Sequence, residues 1–285
     1  MTADSRTAES GVEPEDSVEI QGETIPKIGM GTWQLSGSTC YDAVSTALEV
    51  GYRHVDTAQA YGNEREVGRA IADSTVDRED VFLTTKVNPT NRRYDDVLAS
   101  VHESLAKLHV DRVDLLLLHW PNPLADLEDV LDAMNAARDD GLTRHVGVSN
   151  FGVDRLDRAR RLSDAPIFTD QVLFHPFYPQ RELLRYCQEH DLLLTAYSPL
   201  AQGAILGDDV LARIGRTYGK SPAQVALRWA THHRNVAAVA RSTSRAHLRE
   251  NLDVFDFSLS EAEIDRISRP SYLRTGTAML RGMLG

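Results

Sequence analysis

Residues 113–121 read VDLLLLHWP. Four leucines in succession show no alternation, so the run suits a strand buried on both faces, and it stops at a polar residue, His119. Amphipathic segments flank it, Asp95–Leu108 before and Leu127–Arg138 after. The same unit recurs in both directions along the chain. Candidate strands are Ile28–Thr32, Arg53–Asp56, Val81–Lys86, Val113–His119, His145–Val148, Ile167–Gln171, Leu192–Tyr197 and Val236–Ala240. Between them lie Tyr41–Val50, Glu64–Ala72, Val153–Arg161, Arg181–His190 and Ala223–Thr231, with a final helix after Ser244. Short apolar runs alternating with longer amphipathic segments are the pattern of a parallel sheet covered by helices. Eight strands, each followed by a helix, predict an α/β chain folded as a (β/α)8 TIM barrel. The alternative is an open doubly wound sheet, but no G-x-G-x-x-G follows an early strand.

Several element ends are legible. Ser221-Pro222 opens a helix as cap and first helical residue. Gly51 and Gly141 sit just past two others. Asp209–Tyr218 and Ser260–Ile267 exceed the eightfold count and predict extra C-terminal helices, the second opening on a capping box from Ser260 to Glu263. Ahead of the first barrel strand, VEIQGETIPKIG (18–29) alternates around Gln21-Gly22 and predicts a β-hairpin cap. Residues 1–17 are charged and poor in apolar side chains, and read as a disordered acidic tail. Residues 18–285 read as a single barrel domain.

Composition narrows the function classes. The 285 residues are 42% hydrophobic and 26% charged, ordinary for a globular protein. With 42 acidic against 31 basic residues the formal charge is −11, which argues against a nucleic-acid or anionic-membrane binder. Two cysteines, Cys40 and Cys187, supply neither a disulfide framework nor a four-cysteine zinc site. They read as reduced thiols of a cytoplasmic protein. No apolar run approaches the ~18 residues of a membrane span, and the N-terminus lacks a basic and apolar leader.

In such barrels chemistry lies at the C-terminal ends of the strands. The second strand ends at Asp56, with Tyr61 in the next loop. The third ends at Lys86 and the fourth at His119. The fifth runs into Ser149-Asn150, the sixth ends at Gln171, the seventh at Tyr197-Ser198 and the eighth at Arg241-Ser242. Taken singly, Asp56 reads as a turn former, Tyr61 as a loop aromatic, Lys86 as a surface charge and His119 as a core histidine. Together they converge on one barrel mouth with complementary chemistry. A phenol has an ordinary pKa near 10, too high for efficient proton donation at neutral pH. An ammonium beside it favours the tyrosinate and is expected to lower that pKa. A carboxylate holds the ammonium in place, and an imidazole can orient a carbonyl oxygen. The set reads as a proton donor to a carbonyl, and hydride is the simplest incoming nucleophile.

These motifs resemble the aldo-keto reductase superfamily, in particular its microbial branch of 2,5-diketo-D-gluconate reductases. GYRHVDTA (51–58), QAYGNEREVG (59–68), TTKV (84–87), LLLLHWP (115–121), VGVSNF (146–151), DQVLFHP (170–176), YSPL (197–200) and NLDVFDFSLS (251–260) carry the likeness in the family's order. The resemblance implies reduction of small aldehydes, dicarbonyls or keto-sugars with NADP(H), NAD(H) being a weaker alternative. It implies a catalytic tetrad of Asp56, Tyr61, Lys86 and His119 and no metal. It implies that Ser149, Asn150 and Gln171 hydrogen-bond the nicotinamide carboxamide and that Tyr197 stacks on its ring. Ser198, Leu200 and Gln202 would line the pyrophosphate path. Arg241, Ser242, Ser244, His247, Glu250 and Asn251 would hold the adenosine and its 2′-phosphate. Trp33, Trp120 and Phe151 would wall the substrate, with His119 touching it. The chain departs from the family at Ala240-Arg241-Ser242, where Lys-Ser is common, and at His247, where arginine is common. Its C-terminal segment is short, which implies an open pocket. No long heptad or apolar edge is visible, so a monomer is expected.

Two other readings compete. Lys86 at a strand end could serve a Schiff-base aldolase, which needs a lowered lysine pKa that Asp56 opposes. The barrel could also bind a nicotinamide cofactor without catalysis, against which the complete tetrad stands. A metal-dependent hydrolase is disfavoured because no His-x-His occurs.

Overall fold

The computed structural model describes residues 16–269. It begins with a hairpin of β1 (Ser17–Ile20) and β2 (Glu23–Pro26). The tight turn places Gln21 and Gly22 at φ of 49° and 79°. Two successive positive φ values match the right-handed twist of the strands, and glycine adopts the second without strain. Most of the segment expected to be an acidic tail, together with the short C-terminal segment, lies outside the described residues. Its last residue, Ser17, already pairs with Pro26, so the hairpin begins one residue earlier than expected.

The alternation then unfolds as β3 (Ile28–Gly31), α1 (Gly37–Val50), β4 (His54–Asp56), α2 (Glu64–Ala72), β5 (Phe82–Val87) and α3 (Tyr94–Leu108). It continues with β6 (Val113–Leu118), α4 (Leu127–Asp139), β7 (Thr143–Ser149), α5 (Val153–Leu162), β8 (Ile167–Leu173), α6 (Arg181–Glu189) and β9 (Leu193–Tyr197). The last part is α7 (Asp209–Tyr218), α8 (Pro222–His232), β10 (Val236–Ala240), α9 (Arg245–Leu252) and α10 (Glu261–Ile267). β3 to β10 pair in chain order, and β10 closes on β3 through Ala238–Ile28, Val239–Gly29 and Ala240–Met30. Every pairing in this ring is parallel. Closure excludes the open doubly wound sheet and gives the (β/α)8 barrel. The expected capping box forms at Ser260/Glu263, and the expected cap Ser221 forms a second one with Gln224.

Two apolar clusters hold it. The larger lies between the ring of strands and the helices. The smaller fills the bore near its N-terminal end, where Val18, Ile20 and Ile25 of the hairpin meet Phe82, Leu115, Leu117, Phe168, Leu193 and Ala237. The hairpin therefore plugs one end of the barrel. Filling is close: a Cβ added at Gly147 would lie 2.8 Å from the Leu117 side chain and 2.8 Å from the Thr169 carbonyl oxygen. The backbone oxygen cannot yield, so only glycine fits there.

Candidate functional site

The open end of the bore holds a buried ion pair. β4 ends at Asp56 and β5 carries Lys86, whose side chain has 0% exposure. The Lys86 Nζ donates to Asp56 Oδ1 at 2.6 Å, to the Thr57 carbonyl at 2.8 Å and to Tyr61 Oη at 3.4 Å. Its three protons thus have three acceptors, which is what makes a buried ammonium tolerable. Asp56 uses its other oxygen as well, Oδ2 accepting from Gln171 Nε2 at 2.7 Å.

Tyr61 is placed by the loop after β4. Gln59–Tyr61 form one tight helical turn, which Gly62 ends in the left-handed region at φ 67°. Asn63 pins that loop: it takes the Thr57 hydroxyl at 2.7 Å and donates to the carbonyls of Thr32 and Leu35, each at 2.9 Å. The Tyr61 ring meets His119 edge-on with centroids 5.5 Å apart. The backbone N–H of His119 donates to the Val87 carbonyl, which continues the β5–β6 edge beyond β6.

Burial sets the electrostatics. It pushes the Tyr61 phenol upward; Lys86 pulls it down, Asp56 raises it further, and the net direction is up. The expectation of a lowered phenol is corrected here, because desolvation of the tyrosinate outweighs the ammonium. Burial is also the largest influence on Lys86 and favours the neutral amine. Asp56, Tyr61 and their hydrogen bonds together overcome it and hold Lys86 above its ordinary value. His119 is lowered to about 4, chiefly by burial and then by Lys86, so its imidazole is neutral near pH 7. Its Nδ1 is buried with no hydrogen-bond partner among the described residues.

A cavity of about 680 Å³ opens above this pair. Its lining brings together Asp56, Tyr61, His119, Trp33 and Trp120 with Ser149, Asn150, Gln171, Tyr197, Ser198, Leu200, Gln202 and Arg241. Trp33 and Trp120 stand 44% and 48% exposed at the rim. One wall is a polar ladder. Tyr197 Oη donates to Asn150 Oδ1 at 2.9 Å, Asn150 Nδ2 donates to Ser149 Oγ at 2.9 Å, and Ser149 Oγ donates to the Gln171 carbonyl at 2.7 Å. Beyond Tyr197 the chain turns sharply, with Ser198, Ala201, Gln202 and Gly203 all at positive φ. Arg241 is exposed at the far rim, with no acidic partner among the described residues.

Other expected residues stand apart from the cavity. Ser242, Ser244, His247 and Glu250 lie around the start and outer face of α9; Ser244 caps that helix by accepting from the His247 N–H. Asn251 is buried beside the Tyr52 hydroxyl. Phe151 is only 2% exposed, packs into the larger core and borders a neighbouring cleft. The expected substrate wall at Phe151 is therefore not at the mouth. Conversely, sequence reasoning passed over Gly31, Pro199, Gly203, Val239 and Ala240 of the lining, and Thr57 and Asn63 behind it. For Gly31, Thr57, Pro199, Val239 and Ala240 the one available signal was position at or near a strand end; Asn63 and Gly203 lie further along their loops. Among the described residues no three His, Cys, Asp or Glu converge as metal ligands, and no helix is long and apolar enough to cross a membrane.

Comparison with known proteins agrees with this geometry. The model of the Aldo/keto reductase family matches residues 27–270. An aldo-keto reductase of Mycolicibacterium smegmatis is 41% identical over 248 residues, covering 87% of this chain and 90% of that protein. A methylglyoxal reductase of Escherichia coli O157:H7 is 39% identical over 238 residues, covering 82% and 89%. The crystal structure of a protein described as a candidate 2,5-diketo-D-gluconic acid reductase B superposes with a TM-score of 0.87 at 44% identity, covering 90% and 92%. With most of its length matched by the family model and by these relatives, the chain belongs to the aldo/keto reductase family.

Proposed function

We propose that the protein reduces aldehydes and ketones to alcohols with a nicotinamide dinucleotide, and that Tyr61 supplies the proton. The observation that carries this reading is the Lys86 ammonium, fully buried, bonded to Asp56, Thr57 and Tyr61, with the Tyr61 phenol on the cavity wall. The donor set suits the cofactor. Ser149, Asn150 and Gln171 offer hydroxyl and amide groups to a carboxamide, and Tyr197 offers a flat ring beside them. Ser198, Leu200 and Gln202 line the way to Arg241, a cation without an acidic partner among the described residues. When bound, the reduced nicotinamide supplies hydride to the carbonyl carbon. Tyr61 gives its Oη proton to the carbonyl oxygen, and the tyrosinate left behind is stabilised by the Lys86 ammonium 3.4 Å away. Lys86 stays charged because Asp56 holds it. His119, neutral, donates a hydrogen bond to the same carbonyl oxygen and orients it. The raised phenol keeps Tyr61 protonated through the neutral range, as a donor requires.

Small aldehydes and dicarbonyls are the substrates this reading favours, because a similar protein is a methylglyoxal reductase and Trp33 and Trp120 wall the rim. Keto-sugars follow from the likeness to the diketogluconate reductase. NADP(H) is favoured over NAD(H), through Arg241 and the hydroxyls of Ser242 and Ser244. Glu250 and Asn251 complete the adenosine end only if α9 adjusts, since Asn251 is buried. We take residues 18–285 to work as a single domain and a cytoplasmic monomer without nucleic-acid or membrane partners, in keeping with the net charge of −11. A Schiff-base role for Lys86 is disfavoured by its upward shift, which keeps the amine protonated. The test is oxidation of NADPH followed at 340 nm with methylglyoxal, glyoxal and diketogluconate. Turnover with at least one is expected. No turnover with any, despite cofactor binding, would overturn the reading in favour of a non-catalytic nicotinamide-binding barrel.

A further inference from the structure

We propose that Gln171 is a positioning residue for Asp56, fixing its second carboxylate oxygen from across the bore and thereby tying the amide wall to the proton donor. This rests on the reductase reading just given. β4 and β8 are four strands apart in the ring of eight, so Asp56 and Gln171 stand on opposite sides of the barrel. Their 2.7 Å bond is a strut across the floor of the cavity and not a contact between adjacent strands. The amide must present its N–H to Asp56, because the reversed orientation would set two acceptors against each other at that distance. Asp56 is almost fully buried, and Lys86 and Gln171 are the side-chain partners of its two carboxylate oxygens.

The strut completes a continuous path. Tyr197 bonds Asn150, Asn150 bonds Ser149, and Ser149 bonds the Gln171 carbonyl, which also accepts from the Asn150 N–H at 3.0 Å. Gln171 bonds Asp56, Asp56 holds Lys86, and Lys86 reaches Tyr61. Without Gln171 the carboxylate keeps one anchor, Lys86, and is free to rotate about it. The ammonium then loses its fixed approach to Tyr61. An amide that served only the nicotinamide would have no reason to spend an N–H on Asp56. One N–H on Asp56 leaves the other for the carboxamide, so the ring and the acid are referenced to one side chain.

A double-mutant cycle of Gln171→Met and Asp56→Ala tests this. It is read in three ways: melting of the cofactor-free protein, NADPH affinity by tryptophan fluorescence, and kcat with methylglyoxal at saturating NADPH. With Asp56 present, Gln171→Met is expected to lower kcat about tenfold or more and melting by about 2–4 °C. With Asp56→Ala, the same change is expected to alter kcat by less than about twofold and melting hardly at all, while its loss of NADPH affinity persists. Additive losses in kcat and melting would overturn the proposal and leave Gln171 a cofactor ligand alone. If the parent enzyme reduces no carbonyl, the reductase reading fails, and the melting cycle still decides whether Gln171 holds Asp56. Gln171→Glu gives a second arm that keeps the shape of the side chain. Two facing carboxylates must share a proton, so its kcat is expected to fall as pH rises through neutrality and to recover toward pH 5. A pH profile with the parent's shape would count against the strut.

Discussion

The two ends of the barrel are made by the same strands and treat charge in opposite ways. At the closed end β4 begins with His54, buried under the hairpin with Nδ1 3.4 Å from the Pro26 carbonyl and held low chiefly by burial. Charge there pairs the buried Asp114 carboxylate with partly exposed arginines. Asp114 accepts from Arg78 at 2.9 Å and Arg144 at 3.3 Å, and Arg144 reaches Glu23 of the hairpin at 3.1 Å. The two arginines are 25% and 40% exposed, so water shares the work. At the open end β4 finishes on Asp56 and β5 carries Lys86 one residue before its end, and the ammonium has no exposure at all. A solvated clamp is ordinary stabilisation. A desolvated cation with every proton assigned, set against a cavity, is costly to build and marks the chemistry. Charge density alone would have pointed to the wrong end.

The sharpest way to break this contrast is to cross activity with stability. Tyr61→Phe is expected to lower kcat for carbonyl reduction by about 10²–10⁴-fold while leaving NADPH affinity and melting nearly unchanged. Turnover close to the parent's would remove Tyr61 as the acid. Lys86→Met is expected to be similarly slow, and its pH–rate profile should lose the limb that the Lys86–Tyr61 contact sets.

Asp114→Asn at the closed end should do the reverse. It weakens bonds to Arg78 and Arg144 and to the Leu83 N–H, which Asp114 accepts at 2.8 Å. Hydrogen bonds to charged groups are worth about 1.5–3 kcal/mol, and a loss of that order in unfolding free energy is expected from urea titration. The value of kcat should not change. A variant of normal stability, or one with impaired turnover, would show that the ends are not separable in this way.

How much of this was legible in the sequence depended on range. The barrel strands and the positions of Asp56, Lys86 and His119 were legible because an apolar run ending on a polar residue is a local pattern. The hairpin was legible from Gln21-Gly22. β7 begins at Thr143, two residues before the expected start at His145, because Thr143-Arg144 carry no apolar signal; pairing of Thr143 with Val113 makes them strand. Phe151 packs into the larger core beside a neighbouring cleft, a burial that its position after Asn150 did not report. The Asp56–Gln171 strut joins residues 115 apart and exists only once the ring has closed. The sign of the Tyr61 shift likewise depends on burial, which no local pattern reports.

Cofactor choice gives a smaller effect at the open end. Arg241 offers a permanent charge at the rim, and charge-assisted bonds to phosphate are about twice as strong as neutral ones. His247, exposed on α9, stands where an arginine would add a second permanent charge. An NADPH preference of about 5–30-fold, or 1–2 kcal/mol, is expected. Arg241→Ala should raise KM for NADPH and leave that for NADH almost unchanged, whereas His247→Arg, by adding a permanent charge, should sharpen the preference. Equal loss of both cofactors in Arg241→Ala would mean that this arginine does not read the phosphate.

The smallest effect concerns a charge site that belongs to neither end. Asp170 neighbours Gln171 in β8, and alternation puts it on the opposite face of the strand. It is fully buried; its Oδ1 accepts only a long 3.4 Å bond from the Phe151 N–H, and Oδ2 has no partner among the described residues. Burial raises this carboxyl well above its ordinary value, and the Phe151 bond only partly opposes the rise. Unlike Asp56, it has no cation to hold it ionised. A carboxyl raised on folding favours the folded state most while both states are protonated, below the ordinary carboxyl range. Its contribution is lost as pH rises from the unfolded value toward the folded one, because the unfolded chain releases the proton first. Each unit of difference is worth about 1.4 kcal/mol. Melting of the parent should therefore carry a component that falls as pH rises above the ordinary carboxyl range. Asp170→Asn, which keeps an oxygen for the Phe151 N–H and cannot ionise, should remove that component and leave a flatter profile. Parallel profiles for parent and variant would show that Asp170 does not titrate there, and that a buried carboxylate survives in this barrel without the partners that Asp56 requires.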